Sequence, residues 1–180
     1  MYATALIVSA LMALFLGGDL RKVLSLDIKG FPWVLASFTL PLAAPYALRA
    51  GLDPDAAAAA LTLITYGMLL YGLSANLRLP GIPLVGLGAL ANFAVSLANS
   101  FRMPVSLEWL EPSIRVQEAA RLAGSITHVE LNAYTRLSFL ADVIPWRFFG
   151  STSMVSAGDI LIALGVGYLV FRASEPRCFR

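Results

Sequence analysis

Apolar residues in this chain come in long runs separated by short polar links, with one exception. Residues 2–18 carry no charge, and the run is close to the roughly 17–25 residues that cross a hydrocarbon core. It lacks the basic start and polar cleavage region of a signal peptide, so it is expected to be retained as a first transmembrane helix. The link that follows holds Arg21, Lys22 and Lys29, and its Leu20, Val23 and Leu24 at helical spacing would lie along a membrane surface.

Residues 31–48 form the second run, interrupted by Pro41 and Pro45. Each proline removes a backbone donor and crowds the preceding turn, which predicts a kinked helix whose freed carbonyls turn to Ser37, Thr39 or a neighbouring helix. A hinge or an unwound binding segment is the alternative. Asp53-Pro54-Asp55 reads as a helix start, with Asp53 as N-cap and Pro54 at the first helical position. The third span is then 56–75. Pro80-Gly81 marks a turn into a fourth span, 82–100, and 156–171 makes a fifth.

The exception is the polar passage 99–159. Within it, 106–110 and 113–123 read as short helices, with Ser106 and Ser113 as N-caps and Pro112 between them. Residues 137–149 are too apolar for a solvated loop and predict an interfacial or re-entrant element with Trp146 and Arg147 at headgroup level. The expected fold is therefore all-α: a single polytopic membrane helix bundle of five transmembrane helices, with a helical extracytoplasmic cap over about 101–155 between helices 4 and 5. The short links that share a side hold Arg21, Lys22, Lys29, Arg78, Arg172, Arg177 and Arg180. The positive-inside rule then puts the N-terminus outside, the C-terminus in the cytoplasm and the long loop outside a bacterial inner membrane.

Composition agrees with the membrane class. The chain of 180 residues is 58% apolar and only 13% charged, with a mean hydropathy of +0.76; soluble proteins average about 45–50% apolar and about 25% charged. A formal charge of +2 on scattered residues argues against nucleic acid as a partner. The single Cys178 excludes an intrachain disulfide and a cysteine-cluster metal site, and the single His128 argues against a histidine zinc site. No cofactor or metal is expected.

Candidate chemistry gathers around the polar passage. Gly88, Asn92, Ser96 and Asn99 recur on one helical face, which predicts close helix packing or a polar cleft opening toward Arg102. Ala163 and Gly167 offer a second small-residue face. Arg102 and Arg136 are permanent cations suited to carboxylates or phosphates. Asp142 and Asp159 are their expected intramolecular partners, in a network docking the cap onto helices 4 and 5. Ser156-x-x-Asp159 also has the form of a capping box. His128 is the side chain that titrates near neutrality, and Ser106 lies nearby in sequence without a nucleophile motif.

Three blocks carry a resemblance: Asn99-Ser100-Phe101-Arg102-Met103-Pro104-Val105-Ser106; His128 with Thr135-Arg136-Leu137 and Leu140-Ala141-Asp142-Val143-Ile144-Pro145; and Ser156-Ala157-Gly158-Asp159 with the apolar residues after it. Together they resemble an uncharacterised bacterial family of small membrane proteins, a domain of unknown function, over nearly the whole chain. Ala141 stands where that family usually has glycine. The resemblance implies a membrane protein and no particular activity.

The expected function is a non-enzymatic accessory, assembly or scaffold component of a membrane complex, with a membrane-protein partner or a second copy. The alternative is a membrane-embedded enzyme or binding protein for an anionic ligand, free or lipid-linked, at the outer interface, using Arg102, Arg136, His128 and Asp142. Asn92, Asn99, Ser106 and Asp159 complete the candidate set. A transporter is disfavoured, because no acid lies mid-membrane, the spans are few and no inverted repeat is visible.

Overall fold

A computed structural model describes residues 2–148 and 151–175. Phe149, Arg177, Cys178 and Arg180 lie outside the described residues. Helices α1 (Tyr2–Phe15) and α2 (Arg21–Leu24) are followed by α3 (Phe31–Thr39) and α4 (Ala44–Arg49), with a 3-10 turn over Leu40–Ala43 between the last two. Pro41 lies in that turn and Pro45 at the head of α4, so the two prolines change the helical pitch as their missing donors require. Then come α5 (Pro54–Ser74) and α6 (Ile82–Ala98). Asp53 caps α5 by accepting from Ala56 N at 2.8 Å, with Pro54 behind it as expected.

The five-span bundle does not form. Among the described residues only Phe31–Arg49 and Pro54–Ser74, of 19 and 21 residues, are helices long and apolar enough to cross a membrane. α1 has 14 residues and α6 and α8 (Ala157–Ala173) have 17 each. At 1.5 Å per residue these reach about 21–26 Å, short of the roughly 30 Å hydrocarbon core. Gly17 at φ +75° ends the first run early, and Ser100 and Phe101 at φ +56° and +61° end the fourth. The inside and outside assignment, which counted five crossings, loses its basis with them.

Nor is the chain all-α. Within 101–155, strands β1 (Met103–Val105) and β2 (His128–Glu130) pair in parallel, Met103 opposite His128 and Val105 opposite Glu130. β3 (Ile144–Phe148) and β4 (Ser151–Val155) form an antiparallel pair where an interfacial or re-entrant element was expected. β-Branched and aromatic residues on either side of a glycine are the local reason. α7 (Pro112–Ala123) forms as expected, but Glu111 takes the N-cap position and Pro112 the first turn, ahead of Ser113. Ser106 caps no helix; its hydroxyl accepts from Glu108 N in a turn.

The core lies between α5, α6 and α8, where Leu69, Leu73, Ile82, Val85, Ala89 and Leu169 are buried together. Glycines set the α6–α8 distance. A Cβ built on Gly158 would stand 2.6 Å from Gly88 O, and one on Gly165 2.6 Å from Gly81 O. The Gly88 and Asn92 stripe therefore meets Gly158, Gly165 meets Gly81 and Val85, and Gly167 turns to Ser9 of α1. A smaller core of Val105, Leu107, Leu110 and Leu122 holds the polar segment together.

Gly158→Ala is expected to destabilise by about 1–3 kcal/mol, the usual cost of forcing carbon into a filled contact. Gly86→Ala, where a Cβ meets nothing within 4 Å, should be neutral or gain up to about 1 kcal/mol from helix propensity. Denaturant unfolding in mild detergent distinguishes them; equal losses would contradict the close contact.

Candidate functional site

β1 is the middle of three backbone segments. On one side it pairs with β2. On the other, Asp142 N donates to Pro104 O at 2.9 Å and Ser106 N donates to Asp142 O at 2.9 Å. This edge uses the carbonyl of Pro104 and never asks for its missing N–H, so a fully buried proline sits in a central position without an orphaned partner. Asp142 is thereby fixed through its backbone, and its side chain is 8% exposed. Ala141 before it is extended, at φ −71° and ψ 172°, so no glycine is required there.

Asn99 holds the same region from the end of α6. Its amide donates to Arg136 O at 2.8 Å and its oxygen accepts from Arg136 N at 2.9 Å, a two-point clip on the backbone of the distant segment. Leu137 beside the clip is left-handed at φ +53°. Thr62 of α5 donates to Phe101 O at 2.7 Å and holds the turn where Ser100 and Phe101 are left-handed. Non-glycine residues in that region cost of order 1–3 kcal/mol each and persist only where their surroundings over-determine them.

Asp159 opens α8. It and Ser156 form the expected capping box, Ser156 Oγ accepting from Asp159 N at 2.8 Å and Asp159 Oδ2 from Ser156 N at 3.2 Å. Asn92 joins the box from α6: its amide donates to Asp159 Oδ1 at 2.8 Å, and its oxygen accepts from Ser156 Oγ at 2.8 Å. Gly158 lets Asn92 come this close.

These elements enclose a cavity of about 250 Å³. Thr62, Thr65 and Tyr66 line it from α5, Asn92 and Ser96 from α6, and Met103, His128, Asp142 and Asp159 from the polar segment and α8. Pro41, at the break between α3 and α4, completes one wall. Two polar atoms of this lining, Thr65 Oγ1 and Asp142 Oδ1, are buried without a hydrogen-bond partner. Buried polar groups in native proteins are nearly always paired, with protein or with ordered water. His128 and Asp142 also border a second cavity of about 240 Å³ on the side of α7 and β4, with Glu118 and Arg121 in its lining.

Burial first, and the negative charge of Asp159 second, push the Asp142 carboxyl up to about 8. It keeps its proton into the neutral range. Burial, then the Arg121 guanidinium, holds the His128 imidazole below its ordinary range, against weaker pulls from Asp159 and Glu118. His128 Nδ1 shares a 2.9 Å hydrogen bond with Thr127 Oγ1.

The expected arginine–aspartate network is not the one found. Arg102 pairs with Asp55 at the start of α5, at 2.8 Å, and Arg136 enters the site region through its backbone. Asn92, His128, Asp142 and Asp159 come together in one lining; Asn99 and Arg136 support it from outside; Arg102 and Ser106 do not line it. Thr65 and Tyr66 escaped the sequence reading. The available signal was Thr62, Thr65 and Tyr66 at helical spacing inside an apolar run. No group of three or more His, Cys, Asp or Glu side chains among the described residues is placed to hold a metal ion.

A raised carboxyl makes stability pH-dependent with a definite sign. The folded chain holds its Asp142 proton longer than the unfolded chain, so this contribution is complete below the ordinary carboxyl value and lost as pH rises to about 8. Unfolding midpoints measured from pH 5 to 8 should fall for the wild type. Asp142→Asn should flatten that slope; an unchanged slope would show Asp142 to be ionised throughout.

Comparison with known proteins adds kinship without an activity. An uncharacterised protein of Thermotoga maritima is 28% identical over 169 residues, covering 93% of this chain and 88% of that one. No solved structure matches. A model for a family of unknown function, DUF5317, matches residues 25–171, a span that contains every residue lining the cavity. The chain belongs to the DUF5317 family.

Proposed function

We propose that this protein is a membrane-associated binding protein that takes a small solute bearing a protonated amine into the cavity between α5 and α6. The observation that carries this reading is the Asp142 carboxyl, buried with Oδ1 unpartnered and facing the same space as Thr65 Oγ1 and Asp159. The lining offers two acids and several hydroxyls and no lysine or arginine. An ammonium group supplies the donors that these oxygens lack and offsets the charge that two neighbouring carboxylates would otherwise accumulate. This chemistry moves the ligand class from the anion of the alternative expectation to a cation, because Arg102 is engaged by Asp55.

Membrane association draws support from the broken rod α3–α4 and from α5. Only 6% of Phe31–Arg49 is buried, and Phe31, Trp33, Leu35, Phe38, Leu42 and Tyr46 are all exposed. An apolar face of this extent calls for a bilayer or an apolar partner. A purely accessory or scaffold role uses the same face and leaves the orphaned carboxyl of Asp142 without a purpose.

Methylammonium titrated into the detergent-purified full chain tests the reading, since an alkylammonium stays protonated to about pH 10 as lysine does. Calorimetry should show affinity rising by up to about tenfold per pH unit toward pH 8 and levelling off above it, as binding takes over from the Asp142 proton. Asp142→Asn should bind more weakly and without that pH dependence. No binding at any pH, or equal competition by sodium alone, would contradict an amine site.

A further inference from the structure

A second site stands apart from the cavity, between α1 and α8. The two helices run side by side in the same direction. Gly167 lies against Ser9, and Gly18 against Ser174, whose carbonyl accepts from Asp19 N at 2.8 Å. Alongside the Gly167–Ser9 contact runs a groove of about 470 Å³ walled almost entirely by carbon, including Val8, Met12, Ile160 and Leu164. From Ile160 to Phe171 the groove follows α8 for about 16 Å at 1.5 Å per residue. Trp146 reaches its lining from β3, and the indole Nε1 is buried without a hydrogen-bond partner.

A buried indole N–H almost always finds an acceptor. The groove around it is long and apolar, a shape that fits an extended hydrocarbon chain better than a compact ring. We propose that the α1–α8 groove holds one acyl chain of a phospholipid, whose ester carbonyl accepts the hydrogen bond of Trp146 Nε1. Tryptophan is enriched at the level of a bilayer where apolar tails meet polar groups, and an ester carbonyl belongs there too. The site needs nothing from the Asp142 cavity and stands or falls separately.

Native mass spectrometry of the full chain from mild detergent should find one phospholipid retained. Trp146→Phe keeps an aromatic ring and deletes the donor, and occupancy should fall about fivefold to tenfold, the effect of one neutral hydrogen bond. Met12→Trp fills the groove and should abolish retention while leaving the indole of Trp146 in place. Palmitoyl-oleoyl-phosphatidylglycerol added to delipidated protein should move the Trp146 indole N–H signal, identified by its loss in Trp146→Phe, and an ether-linked analogue without the carbonyl should bind correspondingly weaker. Asp142→Asn should leave lipid retention unchanged. Equal binding of ester and ether lipids, full retention by Trp146→Phe with unchanged circular dichroism, or a dimer or protein partner in place of lipid would overturn the proposal.

Discussion

The close approach of α6 and α8 is the constraint on which the rest depends. With no side chain at Gly88, Gly158 and Gly165, the two backbones come near enough for Asn92 to reach into the first turn of α8. Asn92, Ser156 and Asp159 then satisfy one another with hydrogen bonds that a larger spacing would leave unmade. Each is costly to bury alone and acceptable only in company. This fixes Asp159 at the inner end of the polar segment, and the lining of the cavity is assembled around it.

Asp142 arrives by a different route, held by its own backbone against β1 while its carboxyl points toward space that no protein donor fills. One acid is thus paired through a network and the other is not, within a single lining. Burial beside the Asp159 carboxylate is what raises the Asp142 carboxyl. The neighbouring His128 is kept neutral by its burial and by Arg121, so the resting lining holds little positive charge. Asn99 and Thr62 hold the left-handed turns on either side and keep the polar segment seated on the helix ends.

Local chemistry was legible in the sequence where the interaction itself was local. The Asp53-Pro54 start of α5, the Ser156–Asp159 capping box, the break at Pro41 and the polar stripe of α6 could all be read from neighbours within four residues. Helix length was less legible, because hydropathy counts Leu16, Asn99 and Ser100 with the runs beside them, whereas backbone conformation ends α1 and α6 before they are included. The strands were hidden for another reason. β1 and β2 are three residues each and separated by α7, so no local period announces them. Arginine pairing was misjudged because charge says which partners are possible and only the fold says which is near: Asp55 lies at the head of α5, within reach of Arg102. Asp142 was named as a candidate, but its neutrality follows from burial and from Asp159, neither of which is visible in sequence.

The proposed site rests on the protonation state of one buried acid and can be interrogated at that acid. Infrared difference spectra between wild type and Asp142→Asn, recorded from pH 6 to 10, report directly on whether a buried carboxyl holds its proton. The expected result is a protonated-carboxyl band in the wild type at pH 7 that disappears as pH rises through about 8 and has no counterpart in the variant. A wild-type carboxyl already ionised at pH 6 would contradict the account.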